Sequence, residues 1–135
     1  MADITVTEAN VEPSDSATIG SGTAGAAITK GQPVYLASSN KLLPCDNDFE
    51  ASAKAVGIAV NNAADNQPIQ YVSSGIMDVG ATLGTGVCYV VSSTAGGIAP
   101  AADLATGDYT CILGLCKEQT DELDVNIFFV PKARL

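Results

Sequence analysis

The stretch AITKGQPVYLASSNKLLPCD, residues 27–46, alternates apolar and small polar residues through Val34 and Leu36, breaks at Ser38-Ser39-Asn40-Lys41, and resumes at Leu42-Leu43-Pro44. A period of two places successive side chains on opposite faces of a strand, and a short polar break between two such runs predicts a hairpin. A second stretch, LGTGVCYVVSSTAGGIAPAAD at residues 83–103, repeats the pattern. Gly31, Tyr35, Ser38, Ser39, Leu43 and Pro44 recur as Gly86, Tyr89, Ser92, Ser93, Ile98 and Pro100, allowing small gaps.

The segments downstream of the two hairpins also match. An Ala-rich segment with the composition of a helical turn comes first, DFEASAKA (48–55) or PAADLAT (100–106). A Gly-centred apolar strand comes next, AVGIAVN (55–61) or CILGLCKE (111–118), with Gly57 and Gly114 expected to mark a bulge or a close backbone crossing. An acidic turn then leads into a last alternating strand, IQYVSSG (69–75) or VNIFFVP (125–131). The chain therefore reads as all-β: a small β-barrel or sandwich built from two approximately repeated hairpin units, residues 24–80 and 81–131, with one or two short helical turns. Together they make a single β domain over 24–135. One such unit buries too little apolar surface alone, and closing two copies on each other also removes exposed edges.

Residues 1–23 differ from the rest. Asp3, Glu8, Glu12 and Asp15 are acidic, no basic residue occurs, and SDSATIGSGTAG (14–25) has linker composition. This predicts an extended N-terminal arm. Its DITVT segment is strand-like with no local partner, so it is expected to order against another protein, with Ile4, Val6 and Val11 as the apolar contacts.

Composition narrows the function. Fifteen acidic against six basic residues give a net charge of −9, which repels phosphate backbones and anionic headgroups, so neither nucleic acid nor membrane is an expected partner. The N-terminus has no basic and apolar signal-like region, and no apolar run is long enough to span a bilayer. The expected site of synthesis is thus a cytoplasm. Histidine is absent, removing the commonest general base and metal ligand. Of the remaining chemistries, a Ser-Lys pair would have to draw on Ser38, Ser39, Ser92 or Ser93 with Lys30, Lys41 or Lys54, but these serines sit where turns need small polar residues. Asp121, Glu122 and Asp124 with Glu118 read as a solvated turn. GSGTAG (20–25) lacks the Lys-Ser/Thr of a phosphate loop, and DNDFE (46–50) lacks the spacing of an EF-hand. Cys45, Cys88, Cys111 and Cys116 include no CxxC pair and are expected to be reduced, packed thiols, not zinc ligands. No catalytic residue, cofactor or metal is expected.

The series AGAAITKGQPVYLASSNKLLP followed by AVGIAVNNAADNQPIQYVSSG resembles the capsid decoration, or head cement, proteins of tailed bacteriophages. In that family a Gly-Xaa-Pro-Val strand, a short turn, a Val-Gly-Ile-Ala strand and a Val-rich strand ending in Gly recur in this order. The likeness covers residues 24–80 well and the second half loosely. It implies a β-barrel-like body, often a homotrimer, on the exterior of the virion head, made in the host cytoplasm and bound to the major capsid protein along its N-terminal segment. The family has no catalytic residues to transfer. The alternative is a virion surface module, or a tail or baseplate component, that recognises a receptor or carbohydrate; the absence of Trp weighs against it.

Overall fold

The computed structural model describes residues 3–104, 108–117 and 121–130. Its strands are β1 (Val11–Pro13), β2 (Thr18–Thr23), β3 (Pro33–Leu36), β4 (Leu42–Pro44), β5 (Gly57–Ala59), β6 (Pro68–Val79), β7 (Cys88–Val91), β8 (Ile98–Pro100), β9 (Thr110–Leu115) and β10 (Glu122–Val130). One helical turn, α1 (Glu50–Ala53), and two 3-10 turns, Glu8–Asn10 and Ala101–Asp103, complete the described elements. The fold is all-β, an antiparallel, helix-poor sheet with half-barrel curvature.

Both opening stretches form hairpins. β3 pairs with β4 through Val34–Pro44, Tyr35–Leu43 and Leu36–Leu42, and Asn40 takes the left-handed conformation in the turn (φ 65°). β7 pairs with β8 through Tyr89–Pro100, Val90–Ala99 and Val91–Ile98. The expected helical segments shrink to α1 and Ala101–Asp103; residues 105 and 106 of the second, like Glu118 and Pro131, lie outside the described residues.

The duplication is visible in the sheet. The strand order β4-β3-β5-β6-β10-β9-β7-β8 reads the same outward from its centre, each half running hairpin, inner strand, central strand. β6 and β10 meet antiparallel at that centre, with Ser74 opposite Asn126 and Met77 opposite Leu123. The halves differ by one residue in register. Gly57 faces Val34, whereas Gly114 faces Tyr89 beside a bulge that shifts Val90 onto Ile112. Both glycines mark close backbone crossings: a Cβ on Gly57 would strike the Tyr71 ring and the Val72 carbonyl, and one on Gly114 the Asp124 carbonyl.

Two apolar clusters sit on this frame. The larger collects Ile58, Val72, Met77, Val79, Tyr89, Val91, Leu113, Leu123 and Val125 from both halves. The smaller, with Ile28, Val34, Leu42, Ala59 and Ile69, covers the other face of the first half only. Adjacent residues Ile58 and Ala59 point into different clusters, as strand alternation requires.

The N-terminal segment corrects the expectation of a free arm. β1 pairs with β6 through Val11–Val79, Glu12–Asp78 and Pro13–Met77, and β2 pairs with it from Thr18–Ser74 to Thr23–Pro68. Val72 thus lies between Ile19 and Ile58, and Met77 between Pro13 and Leu123. One edge of a long strand would otherwise present unpaired backbone groups, and residues 11–23 satisfy it. The boundary expected after residue 23 coincides with the end of β2, and the segment before it belongs to the same sheet as the body.

Candidate interaction surface

The three predicted arm contacts are brought together, but against the protein's own core. Val11 is 4% exposed and belongs to the larger cluster, while Ile4 and Val6 pack onto it half-buried. The Ile4 N–H donates to the Ile98 carbonyl (2.9 Å) and the Thr7 N–H to the Gly80 carbonyl (2.7 Å), so the segment is fastened on both sides. Ile4, Val6 and Val11 are therefore spent on the fold, because the apolar face of DITVT meets the open side of the same domain.

The polar residues singled out in the sequence hold turns. Ser38 and Ser39 are exposed in the β3–β4 turn. Ser92 is buried, its Oγ donating to Asp3 Oδ1 at 2.6 Å. Lys41 engages Asn66 and Asp65, and the Lys54 ammonium lies 5.2 Å from the centre of the Phe129 ring. Asp46 Oδ1 accepts from the Ser52 hydroxyl (2.8 Å) and the Asp48 N–H (3.1 Å), which ties DNDFE to α1. Asp124 Oδ2 pairs with Lys117 Nζ at 2.7 Å.

All four cysteines are free thiols; Cys45, Cys111 and Cys116 are buried and Cys88 is half-buried. Burial pushes the Cys45 thiol far above its ordinary pKa, with neighbouring Cys111 and Asp46 adding to the effect. Burial also raises Cys88, and it raises Cys111 despite a partly opposing hydrogen bond with the Ala55 backbone. These are poor nucleophiles and poor metal ligands. Among the described residues no three carboxylates or thiolates converge into a metal-holding group, and no helix is long and apolar enough to cross a membrane.

The feature that stands apart is the outer face of the second half-sheet. Leu123 and Val125 point into the core, so Asp124, Asn126 and Phe128 point out. Register then aligns two rows across the strands: Ile76, Asp124, Leu115 and Cys88 in one, and Phe128, Ile112 and the buried Val90 in the other. Phe128 is 60% exposed, Leu115 38% and Ile76 36%, and Ile112 is half-buried. Ile112, Leu115 and Cys88 also line a shallow, mainly apolar depression together with Gly114, Lys117, Asp124 and Asn126. In the first half-sheet the outer face lies under the smaller cluster; in the second its equivalent is covered at Val90 and Ala99 and open over β9 and β10.

The sequence carried a signal for this face that strand alternation alone passes over. CILGLC and NIFFV are apolar at consecutive positions, which leaves one apolar set outside whichever set enters the core. Comparison with protein-family models and with curated proteins returns no match.

Proposed function

We propose that the protein is a non-enzymatic capsid decoration protein that binds the outer surface of an assembled phage head and stabilises it by clamping major capsid subunits. The observation that carries this reading is the open apolar face of Ile76, Ile112, Leu115 and Phe128 on a strongly acidic domain. The rows are apolar apart from Asp124, which lies between Ile76 and Leu115 and pairs with Lys117, and exposed apolar side chains of this size gain most when a partner covers them. The motif likeness of residues 24–80 to head cement proteins supplies the partner class. The contact moves from the N-terminal segment to the sheet face, because Ile4, Val6 and Val11 are committed to the core.

A ligand that binds the assembled lattice better than free subunits stabilises the lattice by linkage. A homotrimer at a local three-fold position, as the resemblance implies, multiplies this by raising the effective concentration of each contact. The acidic surface directs the domain away from packaged nucleic acid and from membranes, to the exterior of the virion. Purified protein mixed with undecorated heads is expected to co-sediment and to saturate fixed lattice sites visible by electron microscopy. Protein that stays in the supernatant at tens of micromolar would overturn the reading.

A further inference from the structure

β2 is paired along one side only. From Ile19 to Thr23 it runs in unbroken register with Val72 to Pro68 of β6. Among the described residues no strand lies along its other edge, and the one bridge nearby, Ala24 to Leu42, falls just past its end. An edge of this kind pairs readily with a further chain unless it is blunted. The other outer strands are blunted. β4 gives its Leu42 carbonyl to the Gly25 N–H (2.8 Å) and ends at Pro44, and β8 gives its Ile98 carbonyl to the Ile4 N–H (2.9 Å) and ends at Pro100. β1 carries Glu12 and ends at Pro13. β2 has neither proline nor charge, and all of it except Gly20 is exposed. Residues 16–25 around it are uncharged in a chain whose net charge is −9.

We propose that two copies of the protein pair through this edge, β2 against β2 in antiparallel register about a two-fold axis at Ser21, so that the sheet continues from one copy into the other. Copies of so acidic a chain repel each other over most approaches, and a self-contact is favoured where neither copy carries a carboxylate. The strand is also its own complement. Reading outward from Ser21 gives Gly20 and Gly22, then Ile19 and Thr23. In the two-fold pair Ser21 meets Ser21, each Gly20 meets a Gly22 and each Ile19 meets a Thr23, which sets β-branched side chains of one face side by side. The glycine face is already packed within each copy, Gly20 against the Tyr71 ring and Gly22 against the Leu42 side chain, so pairing needs no rearrangement there. Ser21 and Gly22 share an open, mainly apolar depression with Leu36, Asn40, Leu42, Val56 and Tyr71, and Leu36 is 56% exposed. A second strand along β2 shelters this apolar surface from water. A contact of six residues per copy buries less than the roughly 1,200 Å² of a stable interface, so the pair is weak and forms at high concentration. β6 and β10 separate β2 from β9 in the sheet, so the pair leaves the β9–β10 face of each copy free, and the inference does not rest on the capsid reading.

The test is sedimentation velocity of the full chain across a concentration series, at low and high sodium chloride. A dimer is expected to grow in with concentration, and more readily at high salt, which screens the repulsion between acidic copies. Ser21→Lys places two ammonium groups at the axis and should weaken the dimer at least about tenfold. Ser21→Cys keeps the test independent of how that variant folds. Directly opposed residues of antiparallel strands lie about 4.5 to 5.5 Å apart at Cα, within reach of a disulfide, so air oxidation, in which the two thiols pass two electrons and two protons to dioxygen, should cross-link Ser21→Cys into a dimer. Thr23→Cys should stay uncross-linked, because its counterpart in the other copy lies four residues along, roughly 13 Å away. A chain that remains monomeric even at millimolar concentration, association unchanged in Ser21→Lys, or equal cross-linking at positions 21 and 23 overturns the pairing.

Discussion

Val11 lies directly across from Val79, and both side chains enter the larger core cluster, so a residue from the linker-like N-terminal segment is as much a core residue as one from the central strand. Deleting residues 2–19 would strip β1 and the start of β2 from β6 and uncover Met77 and Val79. The truncated chain is expected to unfold at markedly lower urea, and Val11→Ala alone to cost about 2 kcal/mol through lost burial and the cavity it leaves. A truncated body with the midpoint of the full chain would show that the segment only rests on the surface.

The two mid-strand glycines give a graded prediction. In Gly114→Ala the new methyl meets the Asp124 carbonyl of the paired strand, which cannot yield without shifting the β9–β10 ladder. A cost of about 3 kcal/mol is expected. Gly57→Ala meets the Tyr71 ring as well as the Val72 carbonyl and should cost a comparable amount. At Gly86 nothing lies within 4 Å, but φ is +82°, so Gly86→Ala should cost only about 1 kcal/mol, from backbone strain. Urea unfolding that ranks Gly86→Ala as the most damaging of the three would contradict the close crossings.

How far the sequence carried this structure depends on the range of the interactions. Both hairpins, α1, the repeat and the crossings at Gly57 and Gly114 are specified by neighbours in the chain, and alternation and turn chemistry read them directly. The docking of residues 4–23 is not local: Ile19 meets Val72 and Ile4 meets Ile98, across long loops that no periodicity encodes. Composition misleads there for a physical reason. Gly20 lies against the Tyr71 ring and Gly22 against the Leu42 side chain, so these glycines mark close packing where their spacing suggested flexibility. The open face of β9 and β10 was legible in part, since consecutive apolar residues must leave one set outside, but which set depends on the bulge beside Gly114.

Buried thiols make stability fall at alkaline pH. Burial raises the pKa of Cys45 and Cys111 above that of an unfolded thiol, about 8.5, so above that pH the unfolded chain releases protons that the folded one retains. Their contribution is complete below the unfolded pKa and is lost as pH rises toward the folded values, with a slope approaching about 1.4 kcal/mol per pH unit for each thiol. Urea midpoints measured from pH 7 to 9.5 should hold level and then decline, and the decline should flatten in Cys45→Ala with Cys111→Ala. A slope unchanged in that double variant would assign the effect to other groups.

The outer face of β9 and β10 separates folding from binding. Phe128 and Leu115 are exposed and point away from both clusters, so replacing them by threonine, a β-branched residue suited to strands, removes little buried area. Phe128→Thr with Leu115→Thr is expected to change unfolding free energy by less than about 1 kcal/mol. On a capsid the same side chains would be covered, and burying one of this size contributes about 1.5 to 3 kcal/mol. Each truncation should then weaken attachment to undecorated heads roughly tenfold or more, since about 1.4 kcal/mol is a factor of ten. Phe49 is the control: it is 70% exposed but precedes α1, outside the aligned rows, so Phe49→Ser should leave attachment unchanged. Sedimentation with heads across a concentration series reads the double variant and the control. If the double threonine variant decorates with undiminished affinity, or if Phe49→Ser weakens attachment equally, the contact lies elsewhere on the domain.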